Sequence, residues 1–118
     1  MQDPMLQKAI EQLAQALKQT EDYRQYQELR EVVHSDEASL ALLRRFQSAQ
    51  TALQLAALSG QEPKPEDTAA FEGLSGLLYA NSDTADYLLA KMRLEQLVAQ
   101  VMQQLTSTAG LEMGLPEL

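Results

Sequence analysis

The chain has 118 residues, one domain's worth and enough for a modest core. A formal charge of −8, from 17 acidic against 9 basic residues, argues against a nucleic-acid surface. A phosphate backbone is held by clustered Lys and Arg, and Arg44–Arg45 is the nearest approach to a cluster. The absence of cysteine excludes disulfides, thiolate metal sites and protein-held iron–sulfur clusters.

Leu, Ala, Gln and Glu dominate and aromatic residues make up only 5%, which favours helix over strand because unbranched side chains lose little rotamer freedom there. The fold class expected is all-α, a bundle of about five helices. The first spans about residues 4–19, with Asp3 as N-cap and Pro4 at the first helical position. Leu6, Ile10, Leu13 and Leu17 fall four, three and four apart and form one apolar stripe. Thr20, followed by Glu21 and Asp22, starts a second helix to about His34, either separate from the first or continuous and kinked.

A third helix, about residues 36–58, carries a coiled-coil-like seam of Leu42, Phe46, Ala49, Leu53 and Ala56. Gly60 then stops it, and "LSGQEPKPED" forms the turn to a fourth helix over 65–80. Gly73 and Gly76 interrupt that fourth helix, and close packing against a neighbour is the expected reason. In "ANSD", Asn81 is expected as a left-handed cap, with Ser82 or Asp83 capping a fifth helix over 84–107. That last helix places Tyr87, Leu94 and Val101 seven apart, with Val98 and Leu105 between them.

The two long helices, each about 35 Å at 1.5 Å per residue, cannot bury both sides of their stripes within so small a chain. Self-association or a partner helix is therefore expected. Residues 1–108 read as one helical domain and 109–118 as a flexible tail, whose Leu111, Met113, Leu115 and Leu118 give it the alternative of docking as a short peptide. The start "MQDPMLQKAI" lacks the basic opening and apolar core of a signal peptide, and no stretch approaches the ~20 apolar residues of a membrane span. A cytoplasmic location without membrane insertion is the expectation.

"VVHSDEAS" gathers the single histidine, His34, with Ser35, Asp36 and Glu37. A metal site wants several ligands on facing elements, and a triad wants convergence that sequence neighbours seldom achieve. The simpler reading is a helix end at His34, where a cation suits the dipole, followed by a cap at Ser35 or Asp36. The carboxylate pairs Glu21–Asp22, Asp36–Glu37 and Glu66–Asp67 likewise stand at helix starts. Tyr23, Tyr26, Tyr79, Tyr87, Met92 and Met102 recur at helical spacing and read as core or interface. "GLSG" follows no strand and has no nearby lysine, so it is not a phosphate loop. No catalytic, metal or cofactor residue is assigned.

"AIEQLAQALKQTEDYRQYQELREVVHSDEASLALLRRFQSAQ", then "GQEP", then "NSDTADYLLAKMRLEQLVAQVMQQL" resembles the YlbF/YmcA family, often labelled a regulator of competence and including the YheA-like proteins. The resemblance rests on Thr20, Glu21, Tyr23, Asp36, Glu37, Ala38, Phe46 and Gln50, on Gly60 and Pro63, and on Asn81, Tyr87, Leu88, Ala90 and Leu94, over about residues 6–106. It implies long antiparallel helices associating as dimers or larger oligomers. It also implies non-enzymatic regulation of competence, sporulation and biofilm formation, within a complex that influences RNA processing through RNase Y. Some relatives carry a cysteine-bearing tail linked to iron–sulfur binding; this chain has no cysteine, and that role is not carried over.

The function expected is therefore helix-face protein binding, with a homo-oligomer or protein partners and no direct contact with nucleic acid. Leu42, Phe46, Ala49, Leu53, Leu94, Val98, Val101 and Leu105 are the expected packing or assembly residues. The alternative is a small acidic helical chaperone or adaptor for a hydrophobic client segment.

Overall fold

The structure, a computed structural model, describes residues 2–111. Among them are five α-helices and no strand: α1 (Pro4–Lys18), α2 (Glu21–His34), α3 (Glu37–Leu58), α4 (Pro65–Ala80) and α5 (Ser82–Thr108). The chain divides into two compact units. One combines the residues up to Glu28 with those from Leu89 onward, and the other is Leu29–Leu88.

Local chemistry sets the boundaries. The Asp3 carboxylate accepts hydrogen bonds from the backbone N–H of Met5 at 2.9 Å and of Leu6 at 3.1 Å, which satisfies two of the donors a helix start leaves over. After Lys18 the helix breaks for Gln19 and Thr20. The Thr20 hydroxyl donates back to the Leu17 carbonyl at 2.7 Å and accepts from the Tyr23 N–H at 3.2 Å, so it closes one helix and opens the next. Of the two arrangements open for α1 and α2, separate helices is the one found.

The Leu29–Leu88 unit holds the end of α2, α3, α4 and the first turns of α5. α3 and α4 form an antiparallel hairpin across a six-residue connection. Gly60, at φ +71°, adopts the left-handed conformation that glycine enters without a Cβ penalty. Its N–H donates to the Ala57 carbonyl at 3.2 Å, and the Gln61 N–H donates to Ala56 at 3.0 Å. This is the Schellman pattern, which satisfies terminal carbonyls while reversing the chain. Phe46 then stacks on Phe71 across the hairpin, with centroids 5.1 Å apart. Val33, Leu43, Phe46, Leu78, Tyr87 and Leu88 are the buried apolar side chains, drawn from all four helical segments.

The α4–α5 joint departs from expectation. Asn81 sits at φ −96°, extended rather than left-handed, and it is itself the cap of α5. Its side-chain oxygen accepts from the Asp83 N–H at 2.9 Å and the Thr84 N–H at 3.5 Å, a role expected for Ser82 or Asp83. One short polar side chain serves both helices because the chain turns sharply without a left-handed residue. The buried Thr84 hydroxyl lies within hydrogen-bond distance of two carbonyls, that of Leu78 and that of Asn81 at 3.1 Å, and so satisfies the end of α4.

Gly73 and Gly76 also differ from expectation. A Cβ at either position would meet nothing within 4 Å, so close packing within the chain does not explain them. Because these exposed positions are helical and open, Gly73→Ala and Gly76→Ala should each raise stability by up to about 1 kcal/mol, read as a higher urea midpoint at unchanged slope. Thr84→Val keeps the volume but leaves the α4 carbonyl without its donor. It should lower the unfolding free energy by about 1–3 kcal/mol in the same assay.

Candidate functional site

The unit that contains α1 is poorly buried. None of the 15 residues of α1 is buried, and among the described residues of the whole unit only Ala90 is. Its apolar side chains instead line a groove. Ile10, Leu13, Ala14 and Leu17 form one wall, and Val98, Val101 and Met102 of α5 form the other, enclosing about 190 Å³. Leu13 keeps 47% of its surface exposed and Val98 41%. Leu6 on α1 and Leu105 on α5 add further exposed apolar surface to the same two helices.

The chemistry of this groove is restrictive. No polar atom lines it, whereas a pocket for a small molecule is usually larger and carries a few placed polar groups for orientation. Apolar burial gives it its driving force, and another apolar helix or chain segment suits it better than a metabolite. α1 and the α5 residues from Leu89 carry Lys8, Lys18, Lys91 and Arg93 against Glu11 and Glu95, an excess of two cations that Asp83 and Asp86 at the start of α5 cancel over the two whole helices. Glu11 accepts a hydrogen bond from the Gln7 amide at 3.2 Å, and Glu95 pairs with Lys91 at 3.8 Å. Glutamines occupy the faces away from the groove, as at Gln12 and Gln15 on α1 and at Gln96, Gln100 and Gln103 on α5.

The structure distributes the expected assembly residues between the two units. Leu42, Phe46, Ala49 and Leu53 lie on α3, where Phe46 is buried and the other three are half-buried. Leu94, Val98, Val101 and Leu105 lie on the later part of α5, where Val98 and Val101 meet across the groove from α1. One core residue of α3 was missed. Leu43, only 2% exposed, stands one position along from Leu42 and points into the core. Met102, read from its helical spacing as core or interface, lines the groove four residues along from Val98.

The His34 cluster has separate engagements. His34 ends α2 and lies edge-on to Tyr87, with centroids 6.4 Å apart. The Ser35 hydroxyl donates to the Val32 carbonyl at 2.8 Å, so it closes α2 rather than capping α3. Asp36 holds the capping position, where the buried Ser39 hydroxyl donates to its carboxylate at 2.6 Å. That hydrogen bond is the main cause holding Asp36 below the ordinary carboxylate value of 3.8. Among the described residues no group of three or more His, Cys, Asp or Glu side chains is placed to hold a metal ion. Nor is any described helix long and apolar enough to cross a membrane.

Comparison with known proteins decides the family. Residues 6–108 match the family described as control of competence regulator ComK, YlbF/YmcA. The chain belongs to the YlbF/YmcA family. It is 34% identical to a UPF0342 protein of Halothermothrix orenii over 106 residues, covering 90% of this chain and 88% of that protein. It is also 34% identical to a UPF0342 protein of Symbiobacterium thermophilum, covering 75% and 80%. Among solved structures, a protein of unknown function (DUF964) from Bacillus stearothermophilus superimposes with a TM-score of 0.75 at 20% identity, over 89% of this chain and 92% of that one. Bacillus subtilis RicA, solved in complex with RicF, gives 0.61 at 19% identity, over 90% and 94%. These two likenesses are of fold.

Asp36 makes one consequence measurable. Its folded value lies below its unfolded value, so at acid pH the unfolded chain binds the extra proton. The stabilisation is present above about 3.8 and is lost as pH falls through the lower folded value. Ser39→Ala should therefore lower the urea midpoint relative to the parent at pH 7, and the gap should narrow below pH 3.8. A gap that widens on acidification would show that the Ser39–Asp36 bond is not its source.

Proposed function

We propose that this chain is a non-enzymatic regulatory interaction protein that works by binding through helix faces, and that it self-associates by covering the α1–α5 groove with a second copy of itself. One observation carries the reading. α1 has a four-residue apolar stripe and no buried side chain, and a 15-residue helix is marginal in water unless such a stripe is covered. Charge is consistent with it, because the acidic excess that would oppose association lies away from the groove helices. Membership of a regulator family supports the same reading, as does the recorded assembly of RicA, a protein of similar fold, with RicF. In the cell the role would be control of competence, sporulation or biofilm formation, in the cytoplasm, through a complex acting on RNase Y.

Size-exclusion chromatography with light scattering over a concentration series tests the assembly. The parent chain should form a dimer or larger species at micromolar concentration. Leu13→Asp with Val98→Asp should shift it to monomer while keeping its far-UV helical signal, since both positions are more than two-fifths exposed. A burial cost of several kcal/mol for two carboxylates in an apolar contact makes the expected loss of affinity at least about a hundredfold. A parent chain that stays monomeric, or a dimer indifferent to both substitutions, would sink the proposal.

A further inference from the structure

The end of α5 repeats the geometry at the end of α3. Gly110 sits at φ +69° and donates to the Ser107 carbonyl at 3.1 Å, while Leu111 donates to Thr106 at 2.8 Å. At Gly60 and Gln61 the same pair of bonds precedes the turn that brings α4 back along α3. The chain leaving α5 is thus capped by the same reversal motif, with the apolar groove on the helix just behind it. Residues 112–118 lie outside the described residues, but their sequence fits the groove in pattern, charge and reach.

The pattern is "LEMGLPEL" from Leu111. Gly114 and Pro116 disfavour a helix there, and an extended segment would put Leu111, Met113 and Leu115 on one side. In charge, Glu112 and Glu117 are carboxylates with no basic residue between them, against a cation excess of two on α1 and the α5 residues from Leu89. For reach, seven extended residues cover about 23 Å, while the ten helical residues from Thr108 back to Val98 cover about 15 Å.

We propose that residues 111–118 are an occupant of the α1–α5 groove of their own chain, and so compete with the second copy. The competition, though not the docking, rests on the self-association proposed above. Intramolecular attachment favours the tail by effective concentration, and a tail docked nine-tenths of the time weakens association about tenfold. The groove is then a regulated contact, opened when the tail is displaced.

The chain has no tryptophan, so Leu115→Trp is a unique reporter. Its emission should be blue-shifted in the monomer, should move further to the blue on dilution through the range where the dimer dissociates, and should red-shift when Leu13→Asp and Val98→Asp are added. Removal of 112–118 should tighten self-association about tenfold in sedimentation equilibrium. A synthetic peptide of residues 109–118 should bind the shortened chain and loosen its dimer. Water-like emission together with unaltered association of the shortened chain would overturn the proposal, whatever the groove substitutions do to the dimer. A blue shift that disappears on dilution would assign the tail to the neighbouring copy and overturn it too. Should the groove substitutions abolish the blue shift yet leave the dimer intact, tail docking stands and self-association through this groove falls.

Discussion

A helix with an apolar stripe must hide it, and the described residues do not provide enough cover to do so for α1. In the Leu29–Leu88 unit four helical segments contribute to one buried set, and Leu78 there is fully enclosed. In the other unit, two apolar faces line an open groove, and Ala90 is the lone buried side chain among the described residues. The hydrophobic effect acts on both units alike, at about 25 cal/mol for each Å² removed from water. In one it is spent on the fold, and in the other it remains available for association.

That division explains why chemistry is sparse. Most of the polar side chains with definite partners are occupied at helix ends, as in Asp3 with Met5 and Leu6, Thr20 with Leu17 and Tyr23, Ser39 with Asp36, and Thr84 with Leu78. Each compensates a backbone group or another side chain at a helix end. The apparent cluster at His34, Ser35 and Asp36 dissolves into such local bonds, and its three side chains turn to three different partners. In the function proposed above, regulation is carried by apolar helix surface.

Helix limits were legible because caps are local: Asp3, Thr20, Gly60 and Pro65 mark boundaries within two residues of those observed. The facing of α3 was less so. Leu40, Leu42, Leu43, Phe46, Leu53, Leu55 and Leu58 lie on several sides of it, and one position is a turn of about 100°, so periodicity chose Leu42 where packing chose Leu43. Asn81 was misread because both roles open to it, left-handed stop and N-cap, use the same side chain. The stripe on α1 was visible as Leu6, Ile10, Leu13 and Leu17, but its companion on α5 lies some 80 residues away in sequence, and single-helix spacing carries no information about which stripes meet.

The buried threonine between α4 and α5 has a further consequence when set beside the bare surface of α1. Protection of backbone amides against hydrogen exchange follows how much structure must open to expose them. Around Leu78 and Thr84 that means dismantling an enclosed core, whereas α1 can fray from a groove that shields none of its residues fully. The chain therefore carries a gradient of opening free energy, steep at its middle joint and shallow toward its beginning. Ligation of the groove would register first as slowed exchange in α1.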